Sequence, residues 1–193
     1  MTTLPLTSSQ TVGPFFAPTL LREDARRNVL VSPETVGERI RIEGRVLDGA
    51  GMPVDDAMVE IWQANAHGRY NHPSDTGPEQ LDPSFLGFGR SGTSEDGTYW
   101  FETIKPGPVP FDKERMQAPH IGVIVFSRGL LNHLVTRLYF EDEPANANDP
   151  VLQLVPEDRR ATLLAKRKSD GTTPIYRFDI IMQGEGETAF FNL

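Results

Sequence analysis

The chain has 193 residues, no cysteine and a formal net charge of −8, with 27 acidic side chains against 19 Lys and Arg. A chain of this length is expected to form one domain, and without cysteine it has no disulfide framework and no thiolate metal site. An acidic surface repels phosphate backbones, which argues against nucleic acid as a partner. Residues 1–10 lack the basic and apolar regions of a secretory signal, and no stretch approaches the ~18 apolar residues of a membrane span. We therefore expect a soluble, cytoplasmic protein with no membrane partner.

The N-terminal segment, residues 1–20, carries an apolar pair, Phe15 and Phe16, between Pro14 and Pro18. The prolines favour extended backbone and disfavour helix. A disordered tail has little use for two adjacent phenylalanines. The segment therefore predicts an extended arm that docks on another surface, with a mobile terminus as the alternative.

Alternation of apolar and polar residues with period two begins at Glu38 and indicates a half-buried strand. Further strands, separated by turns rich in Gly and Asp, are predicted at 58–63, 98–101, 120–126, 134–140, 175–182 and 188–191. The long segments 65–92 and 105–119 show little periodicity and are expected to be loops, which are often functional when they are long and ordered.

One helix is predicted, from Pro156 to about Lys168, because acidic residues open it and basic residues close it, which complements the helix dipole. Several short strands, one late helix and no alternation of strands with helices predict an all-β fold, a β-sandwich of mostly antiparallel strands. We divide the chain into an N-terminal arm and linker, 1–37, which docks on a partner, and a β-sandwich domain, 38–193.

Taken alone, the side chains give a weak catalytic signal. The four histidines, His67, His72, His120 and His133, form no HExxH motif, and there is no nucleophile elbow or phosphate-binding glycine loop. The Gly-Phe-Gly at 87–89 has neither a predicted strand before it nor a predicted helix after it, so a glycine-rich turn is favoured.

Short motifs are more informative than periodicity. They are EIWQAN (60–65), GRY (68–70), LDPSF (81–85), GR (89–90), IKPG (104–107) and APHI (118–121). In this order they resemble the intradiol ring-cleaving dioxygenases. The resemblance implies a β-sandwich that carries a non-haem ferric iron, held by two tyrosinates and two histidines.

The resemblance places the four iron ligands of the family at positions 70, 109, 120 and 122. Tyr70 and His120 match a tyrosine and a histidine of that set, but Val109 and Gly122 stand where the second tyrosine and the second histidine are expected. Valine and glycine offer no side-chain donor, and one tyrosine with one histidine does not fix the coordination of a hard ferric ion. We therefore expect these positions to be vestigial, with no metal and no catalytic residue in this chain alone.

Some family members pair two homologous sandwiches, an alpha subunit without iron and a beta subunit that holds it. Further motifs resemble the alpha type: SQTVGPF (9–15), FSRG (126–129), TRLYFEDE (136–143), NAN (146–148), LAKR (164–167), RFDI (177–180) and QGEGET (183–188). The resemblance implies a homologous beta subunit that binds the ferric iron (Fe3+), a higher-order αβ hetero-oligomer, and 3,4-dihydroxybenzoate with O2 as substrates.

The same resemblance implies that this chain lines the partner's substrate pocket with Thr11, Gly13, Pro14, Phe15 and Arg128. Phe15 departs from the tyrosine that is common there, so any hydroxyl contact at that position is lost. A guanidinium suits the carboxylate of the substrate because its planar fork can form two parallel hydrogen bonds with the two carboxylate oxygens. A surface arginine in a turn is the alternative reading of Arg128.

Two alternatives for the whole chain stay open at this stage. One is a self-sufficient intradiol dioxygenase with an altered metal site. The other is a non-catalytic β-sandwich module that binds a small molecule or a partner.

Overall fold

The computed structural model describes residues 10–13, 16–23, 25–168 and 172–192. Its strands are β1 (Arg39–Leu47), β2 (Met58–Trp62), β3 (Phe88–Gly92), β4 (Thr98–Ile104), β5 (Val109–Pro110), β6 (Met116–Gln117), β7 (His120–Phe126), β8 (Leu134–Phe140), β9 (Leu164–Lys168), β10 (Ile175–Arg177) and β11 (Ile180–Ile181). The helices are α1 (Phe16–Leu20) and three 3-10 turns at Pro144–Asn148, Leu152–Leu154 and Glu157–Leu163.

The strands form two layers. In one layer β1 lies between antiparallel β4 and parallel β10. Strand β11 pairs in parallel with the C-terminal end of β1. In the other layer the order is β3-β2-β7-β8, all antiparallel. Strand β9 joins the layers because it pairs with β10 on one side and with β8 on the other.

The apolar faces of both layers meet in one core, as the alternation of the sequence predicts. In β7, for example, Ile121, Val123 and Val125 are buried, and the residues between them face outward. Members of the core from both layers include Ile40, Ile42, Val46, Val59, Ile61, Tyr99, Phe101, Ile121, Val123, Val125, Leu138 and Phe140. The predicted all-β sandwich is therefore confirmed.

The predicted helix from Pro156 to Lys168 is wrong in its second half and in its type. A 3-10 helix covers Glu157–Leu163, and strand β9 follows at once. The charge pattern of the segment fits a helix, but pairing of β9 with two neighbouring strands decides the conformation. Tertiary context overrides local propensity here.

Other departures concern short elements. The arm is not extended throughout, because α1 forms at Phe16–Leu20, where Pro18 lies in the first turn and has no intrahelical bond to lose. Strand β3 and the β5–β6 hairpin lie inside the two predicted loops. The predicted strand 175–182 is interrupted, because the Asp179 carboxylate accepts from the Arg45 N–H where a ladder bond is expected. Residues 188–191 contribute only a single bridge, between Phe191 and Val135.

None of the helices in the described part of the chain has the length and apolarity that a bilayer crossing requires.

Candidate functional site

Thr11 and Arg128, two of the predicted site residues, come together at the turn between β7 and β8. The Thr11 hydroxyl oxygen accepts a hydrogen bond from the Gly129 N–H at 3.0 Å. Behind it, the ring of Phe16 lies 6.1 Å from that of Phe126, which in turn lies 5.4 Å from the His133 ring. Residues of both the arm and the turn line a cavity of about 410 Å³. The arm thus packs on the turn that carries Arg128.

Arg128 lies at the surface, with 74% of its side chain exposed. Its Nε contacts the Asp56 carboxylate, and its Nη2 lies 3.6 Å from Asp55 Oδ1. The two carboxylates fix the direction of the guanidinium and neutralise part of its charge. An incoming anion must therefore compete with them for the same donors.

The other predicted residues of the arm are only partly described. The Gly13 carbonyl oxygen accepts from the Phe16 N–H at 3.1 Å, which closes the turn before α1. A Cβ at Gly13 would meet no atom within 4 Å, so this position is open to solvent or to a partner. Pro14 and Phe15 lie outside the described residues.

The second group, the four ligand positions, surrounds the other end of β7. Tyr70 and Val109 line one cavity of about 530 Å³ together with Trp62 and Gln117. The Tyr70 ring stacks on the Trp62 ring at a centroid distance of 5.8 Å. Burial raises the pKa of the Tyr70 phenol above its ordinary value, and the charge of Arg137 offsets part of that rise.

His120 is buried at the start of β7. Its Nδ1–H donates to the Ala118 carbonyl oxygen at 2.7 Å, and its ring lies 5.7 Å from the Tyr139 ring. Burial lowers the pKa of His120 to about 4, and the positive charge of Arg137 acts in the same direction. The imidazole is therefore neutral at pH 7, with Nε2 as an acceptor.

Gly122 follows two residues later on the same face of β7. It lies opposite Trp62 on one neighbouring strand and opposite Arg137 on the other. A Cβ built at Gly122 would have the Trp62 carbonyl oxygen, at 3.4 Å, as its nearest neighbour. Neither the backbone nor the packing therefore requires glycine here.

The residues at these positions do not fit a ferric ion. They supply one phenol and one neutral imidazole, while the hard, highly charged ion needs further anionic oxygen donors. The described residues also contain no cluster of three His, Cys, Asp or Glu that could hold a metal. That this chain holds no iron remains a prediction based on its donor set.

Asp149 fixes the loop that leads into His120. Its fully buried carboxylate accepts from the backbone N–H groups of Ala118, Val151 and Leu152 at 2.7, 2.9 and 2.6 Å. The Tyr139 hydroxyl donates to it at 3.0 Å. Neither Asp149 nor Arg137 was predicted as a site residue, because the contacts from Ala118 to Asp149 and from Arg137 to Gln117 join residues 31 and 20 positions apart. An Asp before Pro150 in a 3-10 region is the one local signal of a buried cap.

Comparisons with known proteins agree with this geometry. A family model described as "Dioxygenase" matches residues 12–184. The alpha chain of protocatechuate 3,4-dioxygenase from Burkholderia cepacia is 45% identical over 204 residues, which cover 100% of both chains. The beta chain of protocatechuate 3,4-dioxygenase from the same organism is 39% identical, over 95% of this chain and 78% of that one. Among solved structures, the dioxygenase domain of a carbohydrate-binding fusion from Streptomyces sp. SirexAA-E superimposes with a TM-score of 0.64 at 28% identity, covering 94% of this chain and 97% of that one.

Proposed function

Given that the chain belongs to the intradiol ring-cleavage dioxygenase family, we propose that it is the alpha subunit of a protocatechuate 3,4-dioxygenase. The observation that carries the proposal is its match to an alpha chain along the full length of both chains. The match to the beta chain is weaker and leaves more than a fifth of that chain uncovered. The loss of two ligand side chains, at Val109 and Gly122, points in the same direction.

In the proposed reaction both atoms of O2 enter 3,4-dihydroxybenzoate (protocatechuate), and the bond between the two hydroxyl-bearing carbons breaks to give 3-carboxy-cis,cis-muconate. The ferric ion would lie in a homologous beta subunit and would supply the redox chemistry there. This chain would enclose and orient the substrate, and such positioning lowers the entropic part of a barrier.

The residues that would do so are Thr11, Gly13, Pro14, Phe15 and Arg128. Support comes from the arm contact, since the hydrogen bond from Gly129 to Thr11 holds arm and turn together as one surface. Arg128 is exposed on that surface and would pair with the substrate carboxylate. Asp55 and Asp56 would keep the guanidinium directed until the substrate arrives.

We further propose that residues 1–37 dock on the beta subunit, that 38–193 form the sandwich domain, and that αβ pairs repeat in a symmetric, cytoplasmic assembly. Relatedness between the subunits supports this arrangement, because the beta chain of Burkholderia cepacia aligns with 95% of this chain. Homologous subunits commonly assemble with closed symmetry.

The test is to purify the full chain alone and together with a beta subunit that carries two tyrosine and two histidine ligands. We expect bound iron, tyrosinate-to-iron absorption and O2 uptake with 3,4-dihydroxybenzoate only in the co-purified complex. Equal iron per copy of this chain with and without the partner would support a self-sufficient enzyme instead. A partner that is equally active without this chain would support a non-catalytic binding module.

A further inference from the structure

Arg137 is a neighbour of the vestigial ligand positions. It stands on β8 directly opposite Gly122 of β7, which lies opposite Trp62 of β2. Since Ile121 and Val123 point into the core, Gly122 and the residues paired with it face the other side of the layer. The Arg137 side chain therefore shares its face with the place where a histidine ligand would project.

Arg137 also contacts residues that are paired with other ligand positions. Its Nη1 donates to Gln117 Oε1 at 2.7 Å, and Gln117 is the ladder partner of Val109. The same nitrogen lies 3.5 Å from the Tyr139 hydroxyl oxygen, and Tyr139 is the ladder partner of His120. Residues 70 and 109 line one cavity together with Gln117. The guanidinium thus lies on the face of the layer that carries position 122 and contacts a ladder partner of position 109 and one of position 120.

The positive charge of Arg137 is not cancelled by a direct ion pair. In the described part of the chain, no carboxylate lies within salt-bridge distance of this half-buried guanidinium. Its polar contacts are to two neutral groups, the Gln117 amide and the Tyr139 hydroxyl.

We propose that the Arg137 guanidinium takes the place of a metal ion in this chain, so that iron is excluded by a resident cation as well as by the loss of two ligand side chains. Arginine stays protonated at every pH at which the protein is folded, so an entering ion meets a permanent positive charge. Restoring the two lost ligands is then not sufficient for iron binding. The inference rests on the proposed iron-free role of the chain.

The fold leaves room for a direct test. A Cβ at 122 would meet its nearest neighbour, the Trp62 carbonyl oxygen, at 3.4 Å, and Val109 lines the cavity of about 530 Å³, into which a tyrosine at 109 would extend. The full chain is prepared in five forms: native, R137Q, V109Y/G122H, V109Y/G122H/R137Q, and V109Y/G122H/R137K as the matched control that keeps the charge. Each form is incubated with ferrous ammonium sulfate in air and desalted. Iron per chain and the visible tyrosinate-to-iron band are then measured.

We expect the R137Q triple variant to bind at least tenfold more iron than the double variant and to gain the visible band, while the R137K triple variant stays at the level of the double. A folded R137Q triple variant that binds no more iron than the double variant overturns the inference. Iron bound by the native chain overturns the proposed function instead.

A second measurement decides the case if the variants with restored ligands do not fold. On the full chain, the native, R137Q and R137K forms are dialysed against Zn2+, which imidazole suits as a ligand, and zinc per chain is measured. We expect at least threefold more zinc in R137Q than in the native or R137K form, because only R137Q removes the resident charge. Equal zinc in all three forms overturns the inference.

Discussion

The hydroxyl of Thr11 and the backbone N–H of Gly129 form a hydrogen bond across 118 positions of sequence, at 3.0 Å. It attaches the N-terminal arm to the turn that presents Arg128. Two groups predicted from sequence to face the same substrate thus form one surface before any partner binds.

Replacing Arg128 with Ala in the assembled enzyme should raise KM for 3,4-dihydroxybenzoate about fivefold, the equivalent of roughly 1 kcal/mol for an exposed charge pair. Catechol has no carboxylate, so its KM should change by less than about twofold. Steady-state O2 uptake with both substrates makes the comparison. Arg128→Lys keeps the charge but not the planar fork and serves as the control. The same increase in KM for both substrates would show that Arg128 does not sense the carboxylate.

Replacing Thr11 with Val keeps the shape of the side chain and removes the acceptor for the Gly129 N–H. Because the turn then loses its tie to the arm, we expect a smaller increase in KM for 3,4-dihydroxybenzoate than in Arg128→Ala, of about two- to threefold for one neutral hydrogen bond. Thr11→Ser keeps the hydroxyl and should retain native kinetics. An effect of Thr11→Ser as large as that of Thr11→Val would point to the lost methyl group instead.

The parts of the fold that sequence predicts best are those with local alternation. Strands β7 and β8 have the predicted bounds, and in β7 burial alternates with period two from Ile121 to Phe126. Strand β3 was not predicted, because its glycines are typical of a turn. A Cβ at Gly89 would come within 2.8 Å of the Ile61 side chain, so glycine there serves close packing in a sheet. Such a requirement arises from a strand 28 residues away and leaves no local signal.

In the candidate site, too, features that depend on local motifs were predicted and features that depend on distant residues were not. The ligand positions follow from motifs, and the structure places Tyr70 and Val109 at one cavity. The role of Arg137 depends on Gln117 and Gly122, which only the sheet register brings to it. Arg128 was predicted as a site residue, but its carboxylate partners Asp55 and Asp56 were not. They lie in the turn before β2, more than 70 positions earlier in the sequence.

Replacing Asp149 with Asn should destabilise the fold by roughly 2–4 kcal/mol, since buried N–H groups lose a charged acceptor and face an amide that is itself a donor. The carboxylate accepts from Ala118, Val151 and Leu152, so the loop before His120 should loosen with it. Urea unfolding of the full chain measures the change. Asp48→Asn is the matched control, because Asp48 also caps backbone N–H groups but at an exposed turn, and it should cost less than about 1 kcal/mol. Equal costs for the two variants would contradict a special role of the buried carboxylate.

Folding should depend on pH through His120. Burial lowers its pKa from 6.5 to about 4 in the folded chain. Between these values the unfolded state binds more protons, so stability is full above about pH 6.5 and falls as the pH decreases towards 4, by up to about 3 kcal/mol. Urea unfolding at several pH values measures this, with His120→Gln as the variant that should lose this part of the slope. Parallel pH profiles for the native chain and His120→Gln would contradict the assignment.

Two glycines, Gly44 in β1 and Gly122 in β7, should differ in their response to a single added methyl group. A Cβ at Gly44 would lie 1.8 Å from the Phe178 carbonyl oxygen, the same oxygen that accepts the Tyr99 hydroxyl at 2.6 Å, so Gly44→Ala must displace backbone and break a buried hydrogen bond. Overpacking of this kind costs about 3 kcal/mol or more, and the variant should unfold at much lower urea or fail to fold. Gly122→Ala meets its nearest atom at 3.4 Å and should stay within about 1 kcal/mol of the native chain. Urea midpoints, or soluble yield where Gly44→Ala does not fold, test the pair. A Gly122→Ala variant as unstable as Gly44→Ala would show that glycine at 122 is a packing requirement, and that a histidine there would not be tolerated.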